Sequence, residues 1–287
     1  MPGGGCAFGY VRTGPFAVGK RVSESSISLL WRKYKKTLDR NGKLVYNDII
    51  QRKRKSDNMQ RLGRDAVLKA FHRITIVTGH YGTGKTEFAV NLALKLAEEG
   101  GPVMLADLDI VNPYFRSRER RPLLEEAGVR VISSSQACSD ADVPALPAEL
   151  LAILENRDVR GVLDIGGDPV GARVLARFQP KIVQENYQLV YVLNANRPEV
   201  RTAESAVAYL RGIEQVTGLK CSALVNNTHL CRETTAEEIR KGAALAEEVS
   251  EMTGLPVLCH TAERKFLPAL SDLTVFPVEI YMKKPWE

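Results

Sequence analysis

Residues 79–86 read Gly-His-Tyr-Gly-Thr-Gly-Lys-Thr, the complete G-x-x-x-x-G-K-[ST] spacing of a phosphate-binding loop. Its flanks constrain the fold more than the pattern itself. Ile74-Thr75-Ile76-Val77-Thr78 is a short β-branched run that reads as a buried strand. Glu87 to Glu99 is rich in Ala and Leu, contains no Gly or Pro, and reads as a helix. In the order strand, loop, helix, backbone N–H groups can turn inward around phosphate oxygens at the positive end of a helix dipole. Lys85 is placed to reach the β- and γ-phosphates of a nucleoside triphosphate, and the Thr86 hydroxyl to ligate Mg²⁺.

From residue 74 the chain alternates between two periods. The apolar runs predict strands at 74–79, 102–108, 129–134, 161–165, 188–194, 221–226 and 256–260. Helical spacing predicts helices at 86–99, 116–127, 144–156, 171–185, 202–217 and 234–253, several stopped by Gly100-Gly101, Gly128 or Gly254. Alternation of this kind implies right-handed crossovers, hence an α/β fold with a mainly parallel sheet flanked by helices on both faces, the phosphate-loop NTPase arrangement. Near-continuous apolar strands such as Leu189-Val190-Tyr191-Val192-Leu193 fit a sheet covered on both sides. A ligand then sits beyond the strand C-terminal ends. These ends carry residues 79–86, 107–116, 164–168, 194–198 and 226–230.

Two of those ends are acidic. The second strand runs Met104-Leu105-Ala106-Asp107-Leu108-Asp109, and the fourth Gly161-Val162-Leu163-Asp164-Ile165-Gly166-Gly167-Asp168. An apolar strand ending in Asp can hold Mg²⁺ near the phosphates, because a hard cation takes oxygen ligands. Thr86, Asp107 and Asp164 are therefore the candidate metal residues. Asp164-Ile165-Gly166-Gly167 also has the D-x-x-G spacing of a γ-phosphate sensor, in which Gly167 brings its N–H close to the phosphate.

The succession of phosphate loop, D-x-D on the second strand and D-x-x-G on the fourth resembles the MinD/ParA branch of phosphate-loop proteins, over residues 73 to about 265. That branch includes septum-positioning and chromosome-partitioning ATPases and CobQ/CobB-related enzymes. The resemblance implies that Asp109 orients or deprotonates the attacking water, with Asp107 nearer the metal. It also implies a first switch at Val111-Asn112-Pro113-Tyr114-Phe115-Arg116. In the branch's loop, G-K-G-G-x-G-K-[ST], an extra lysine reaches a partner's phosphates. Here Gly79, Gly82, Gly84, Lys85 and Thr86 match, but His80 replaces that lysine and Tyr81 the next glycine. A neutral imidazole cannot stand in for a permanent ammonium. A nucleotide-dependent homodimer thus stays open but is not implied. An asparagine at the end of strand six bonds the purine in this group. Asn226 is the first choice here and Asn227 the second, against the alternative that both stabilise a turn. With no N-K-x-D run anywhere, ATP is favoured over GTP.

The candidate nucleotide-binding set is then Gly79, His80, Tyr81, Gly82, Thr83, Gly84, Lys85, Thr86, Glu87, Gly167, Asn226 and Asn227, with Lys85 and Asp109 catalytic. The expected function is a Mg²⁺-dependent, slow MinD/ParA-like ATPase switch acting on an unnamed protein or small-molecule partner. A small-molecule kinase or CobQ/CobB-like amide ligase is one alternative; the polar segment 133–140 could line its substrate pocket. A nucleotide-gated adaptor or metallochaperone with negligible turnover is another.

Charge narrows the partners. Residues 1–58 carry 13 Lys/Arg and 4 Asp/Glu, a net +9. Subtracting these from the totals of 40 and 34 leaves 27 and 30, a net −3, for residues 59–287. The nucleotide domain therefore lacks the basic surface that nucleic acid requires. Residues 1–58 read as a basic, disordered or partly helical extension; alternatively the chain starts at Met59, fifteen residues before the first strand. No apolar stretch is long enough to span a bilayer. The five scattered cysteines, without a C-x-x-C pair, fit a reducing cytoplasm.

Overall fold

The computed structural model describes residues 67–109, 117–133 and 145–282. All of them belong to the unit Met59–Glu287, one of two into which the chain divides. Eight strands form one sheet: β1 (Ile74–Thr78), β2 (Val103–Leu108), β3 (Val129–Ser133), β4 (Arg160–Ile165), β5 (Tyr187–Leu193), β6 (Cys221–Asn226), β7 (Val257–Glu263) and β8 (Val275–Val278). Their order is β3-β2-β4-β1-β5-β6-β7-β8, and every neighbouring pair is parallel. This is the phosphate-loop α/β architecture expected from the alternation of elements.

The helices are α1 (Lys85–Glu98), α2 (Arg121–Glu126), α3 (Ala145–Glu155), α4 (Pro169–Ala172), α5 (Gln179–Ile182), α6 (Ala203–Thr217) and α7 (Ala236–Thr253). Because successive strand residues point to opposite faces, the sheet carries two cores. On one face Val77, Val162, Val190 and Val225 pack with Phe88 and Leu92 of α1, and the Phe71, Phe88 and Phe276 rings meet at tilted or edge-on angles. On the other, Ile76, Leu163 and Leu189 pack with Leu210 and Ile213 of α6 and Leu245 and Val249 of α7. Thr202 and Thr235 cap α6 and α7, each side chain accepting a backbone N–H of the first turn.

Two expected helices and one strand differ. The helix expected at 171–185 is broken into α4, a 3₁₀ stretch at Arg173–Arg177, and α5. Pro180 has no N–H to donate and fits only a first turn, so the helix restarts just before it. Pro122 does the same in the segment expected as one helix at 116–127, which runs as a 3₁₀ turn at Ser117–Arg120 followed by α2. The additional strand is β8, Val-Phe-Pro-Val. Proline is admissible there because β8 is the last strand of the sheet, with one side unpaired.

This topology sets β1 between β4 and β5, so the loop after β1 faces the ends of both. Val77 pairs with Asp164 on one side, and Asp164 pairs with Asp107 on the other. The two carboxylates therefore stand on adjacent strands, level with the strand that feeds the loop. Among the described residues, no helix is long and apolar enough to cross a membrane.

Candidate functional site

The loop after β1 is built around one carbonyl. His80 O accepts Thr83 N at 3.2 Å, Thr83 Oγ1 at 2.9 Å and Lys85 Nζ at 3.3 Å. Gly84 opens α1 at φ +81°, a left-handed conformation that side chains rarely adopt. It also packs tightly against the residue after β6, since a Cβ there would fall 2.2 Å from Asn227 Nδ2. From outside, Arg197 Nε donates to Gly82 O at 2.6 Å. Tyr81 projects outward and is 55% exposed. The His80 ring packs edge-on against Tyr209 of α6, 4.7 Å between centroids.

Facing Lys85 is a buried acidic group. Asp107, Asp109 and Asp164 are all buried, and Asp107 Oδ1 accepts Asp109 N at 3.3 Å. Neither oxygen of Asp164 has a partner of full hydrogen-bond geometry, although the Thr86 hydroxyl stands close enough to favour its charged form. Burial first, then the Asp107 charge, pushes the Asp164 carboxyl well above the usual range, against the opposing pull of Lys85. Burial likewise lowers the Lys85 ammonium, opposed by Asp164, Asp109 and Asp168. An orphaned carboxylate at this depth costs free energy unless something pairs with it.

Those residues fit Mg²⁺. A divalent ion would pair with the two Asp164 oxygens and relieve the repulsion from Asp107, with the Thr86 hydroxyl beside them. Among the described residues no cluster of three or more His, Cys, Asp or Glu side chains is disposed to hold a metal by itself. That suits an ion that keeps waters and shares its ligands with phosphates.

Three expected site residues have other roles in the structure. Glu87 accepts Tyr281 N at 2.7 Å and Met282 N at 3.1 Å, so its carboxylate holds the segment at 281–282. The neighbouring Asn91 extends this seam, donating to Glu279 O at 2.9 Å and accepting Glu279 N at 2.8 Å. Asn226 is fully buried; its Nδ2 donates to Ile239 O at 3.0 Å and lies 3.1 Å from His260 Nδ1, while its Oδ1 accepts Thr228 N. Asn227 Nδ2 donates to Thr83 O at 2.7 Å, and its Oδ1 accepts the Thr261 hydroxyl. Asn226 is thus tied to α7 and β7, and Asn227 clamps the loop to the end of β6. The expected switch at 111–116 and nearly all of the polar segment 133–140 lie outside the described residues. Glu87→Ala is expected to lower unfolding stability by on the order of 2 kcal/mol in urea titration, through two backbone N–H groups losing a carboxylate. Triphosphate affinity should stay nearly unchanged.

No protein family matches the chain by sequence, and no curated protein matches it. Solved structures do. FtsY from Mycoplasma mycoides aligns with 66% of this chain and 59% of its own, at 18% identity and a TM-score of 0.44. The cell division protein FtsY of Thermotoga maritima aligns with 91% of this chain and 87% of its own, at 18% identity and 0.49. The 54 kDa signal recognition particle protein of Aeropyrum pernix, solved with GDP, aligns with 71% and 47%, at 20% identity and 0.43. The chain thus spans less than two thirds of the length of some of the structures it matches. At these identities and scores, function has to be argued from the site.

Three residues of the site escape any motif. Arg197, in the run Asn194-Ala-Asn-Arg-Pro198 after β5, reaches the loop because β5 is the neighbour of β1. His229 follows β6, with Nε2 3.1 Å from the position of a Cβ on Gly84. Burial first, then the Arg197 charge, lowers its imidazole to about 4, so it stays neutral at pH 7. Tyr209 is the third, in the middle of α6 with no distinguishing neighbours in sequence.

Proposed function

We propose that this chain is a Mg²⁺-dependent nucleotide hydrolase that works as a conformational switch, with ATP as its nucleotide. The observation that carries the reading is the convergence of the Lys85 ammonium, the Thr86 hydroxyl and the buried Asp164 carboxyl at the mouth of a glycine-rich loop opening a helix. The loop would hold the phosphate chain by its N–H groups and the helix end. Lys85 would neutralise the terminal phosphates. Mg²⁺, when bound, supplies charge neutralisation at the same oxygens.

Asp109 fits the role of orienting the attacking water. It is buried at the end of β2, and its charge reaches Lys85. Gly167 follows Asp164 by three residues and touches the loop, so the 164–168 segment can respond to the terminal phosphate. The absence of N-K-x-D in the sequence favours adenine over guanine.

The test is phosphate release from ATP and GTP by the full chain, with Mg²⁺ and with chelator. ATP turnover that chelator abolishes is expected. Turnover of GTP alone would overturn the choice of base, and binding of neither triphosphate would overturn the whole reading. Asp109→Asn should keep triphosphate affinity and slow turnover by on the order of a hundredfold, the scale of a lost acid–base or orienting group. Unchanged turnover removes Asp109 from this role.

A further inference from the structure

Gly167 is packed against the phosphate loop, and it is held there from behind. A Cβ on Gly167 would fall 2.5 Å from Lys85 Nζ and 2.9 Å from Tyr81 N. The backbone after β4 is therefore packed directly onto the lysine and onto the loop at Tyr81. The Tyr209 hydroxyl donates to Gly167 O, and the same ring carries the edge of His80. One α6 side chain thus touches both the phosphate loop and the D-x-x-G segment. The next residue is fixed as well, with Asp168 Oδ1 accepting Gly171 N at 2.5 Å. Burial, and then the Asp168 charge, raises the Tyr209 phenol to about 12, which keeps it a donor at neutral pH.

We infer that Tyr209 is a positioning residue that latches Gly167 over Lys85, and thereby sets how strongly the site discriminates a triphosphate from a diphosphate. The inference rests on the nucleotide-binding reading above. A terminal phosphate must come between Lys85 and Gly167, so Gly167 has to withdraw and its bond to Tyr209 must lengthen or break. A diphosphate fills the loop without displacing Gly167. The latch therefore penalises only the triphosphate-bound state. A ligand shifts an equilibrium solely by its difference in affinity for the two states.

Tyr209→Phe removes the hydroxyl and keeps the ring on His80. Affinities of the full chain for a non-hydrolysable triphosphate and for the diphosphate, in adenine and guanine forms with Mg²⁺, are measured by calorimetry. Triphosphate binding is expected to tighten roughly fivefold, the scale of one net hydrogen bond, with diphosphate binding unchanged. Tyr187→Phe serves as the control. It deletes a hydroxyl that accepts Lys220 N at 3.0 Å, away from the loop, and should move neither affinity. Equal shifts for both nucleotides, weaker triphosphate binding in Tyr209→Phe, or the same change in the control would each overturn the inference while leaving the nucleotide reading intact. A wild-type chain that binds none of the four overturns both.

Discussion

Lys85→Ala is expected to reduce triphosphate affinity by on the order of a hundredfold or more, enough to abolish binding in a calorimetric titration. The magnitude follows from what the ammonium does. It would make charge-assisted bonds to the terminal phosphates, each worth about twice a neutral bond. It is also the positive group facing Asp164, Asp109 and Asp168. Without it, the carboxylates would repel an incoming polyphosphate unopposed by the lysine charge. The apo variant is compared with the wild type by thermal unfolding at the same pH, so that a loss of fold is distinguished from a loss of binding. A folded Lys85→Ala protein that keeps its affinity would end the phosphate-loop assignment.

The second large effect concerns Asp164 and has a sign that depends on pH. The folded chain raises this carboxyl from 3.8 to about 8, first by burial and then through Asp107. Between these values the native state holds a proton that the unfolded chain has released. Stability from this group is fully present below pH 3.8 and is lost as pH rises through about 8. Asp164→Asn removes that loss, because an amide does not ionise. Without nucleotide, the variant should melt above the wild type at pH 8, and the gap should close towards pH 5. With Mg²⁺ and triphosphate the order should invert, because only the wild type gains the metal bond and the linked stabilisation. Melting curves at several pH values, with and without ligand, read both halves. A variant stabilised by Mg²⁺ and triphosphate as strongly as the wild type would remove Asp164 from the metal site.

The sequence displayed the parts of this fold whose causes are local. Strands such as β5, Tyr187–Leu193, are near-continuous apolar runs, and burial on both faces is what such runs require. The phosphate loop is legible because its glycines, lysine and threonine lie within eight consecutive residues. Asn226 and Asn227 show where this ends. An amide that reads a purine and an amide that clamps a loop carry the same donor and acceptor. Only the tertiary partners, Ile239 O and Thr83 O, tell them apart. The bonds of the Glu87 carboxylate were equally hidden, because its partners at 281 and 282 lie 194 and 195 residues away. Tyr209 had no local signal at all, and its role depends on α6 lying beside the segment that follows β4.

The seam between α1 and the segment at 279–282 has a bearing on how the molecule is made. Glu87 and Asn91 find their partners in nearly the last residues described, so the helix that follows the phosphate loop cannot close its outer side early in synthesis. A chain emerging from the ribosome would carry a helix whose Glu87 and Asn91 lack these partners until residue 282 has cleared the exit tunnel.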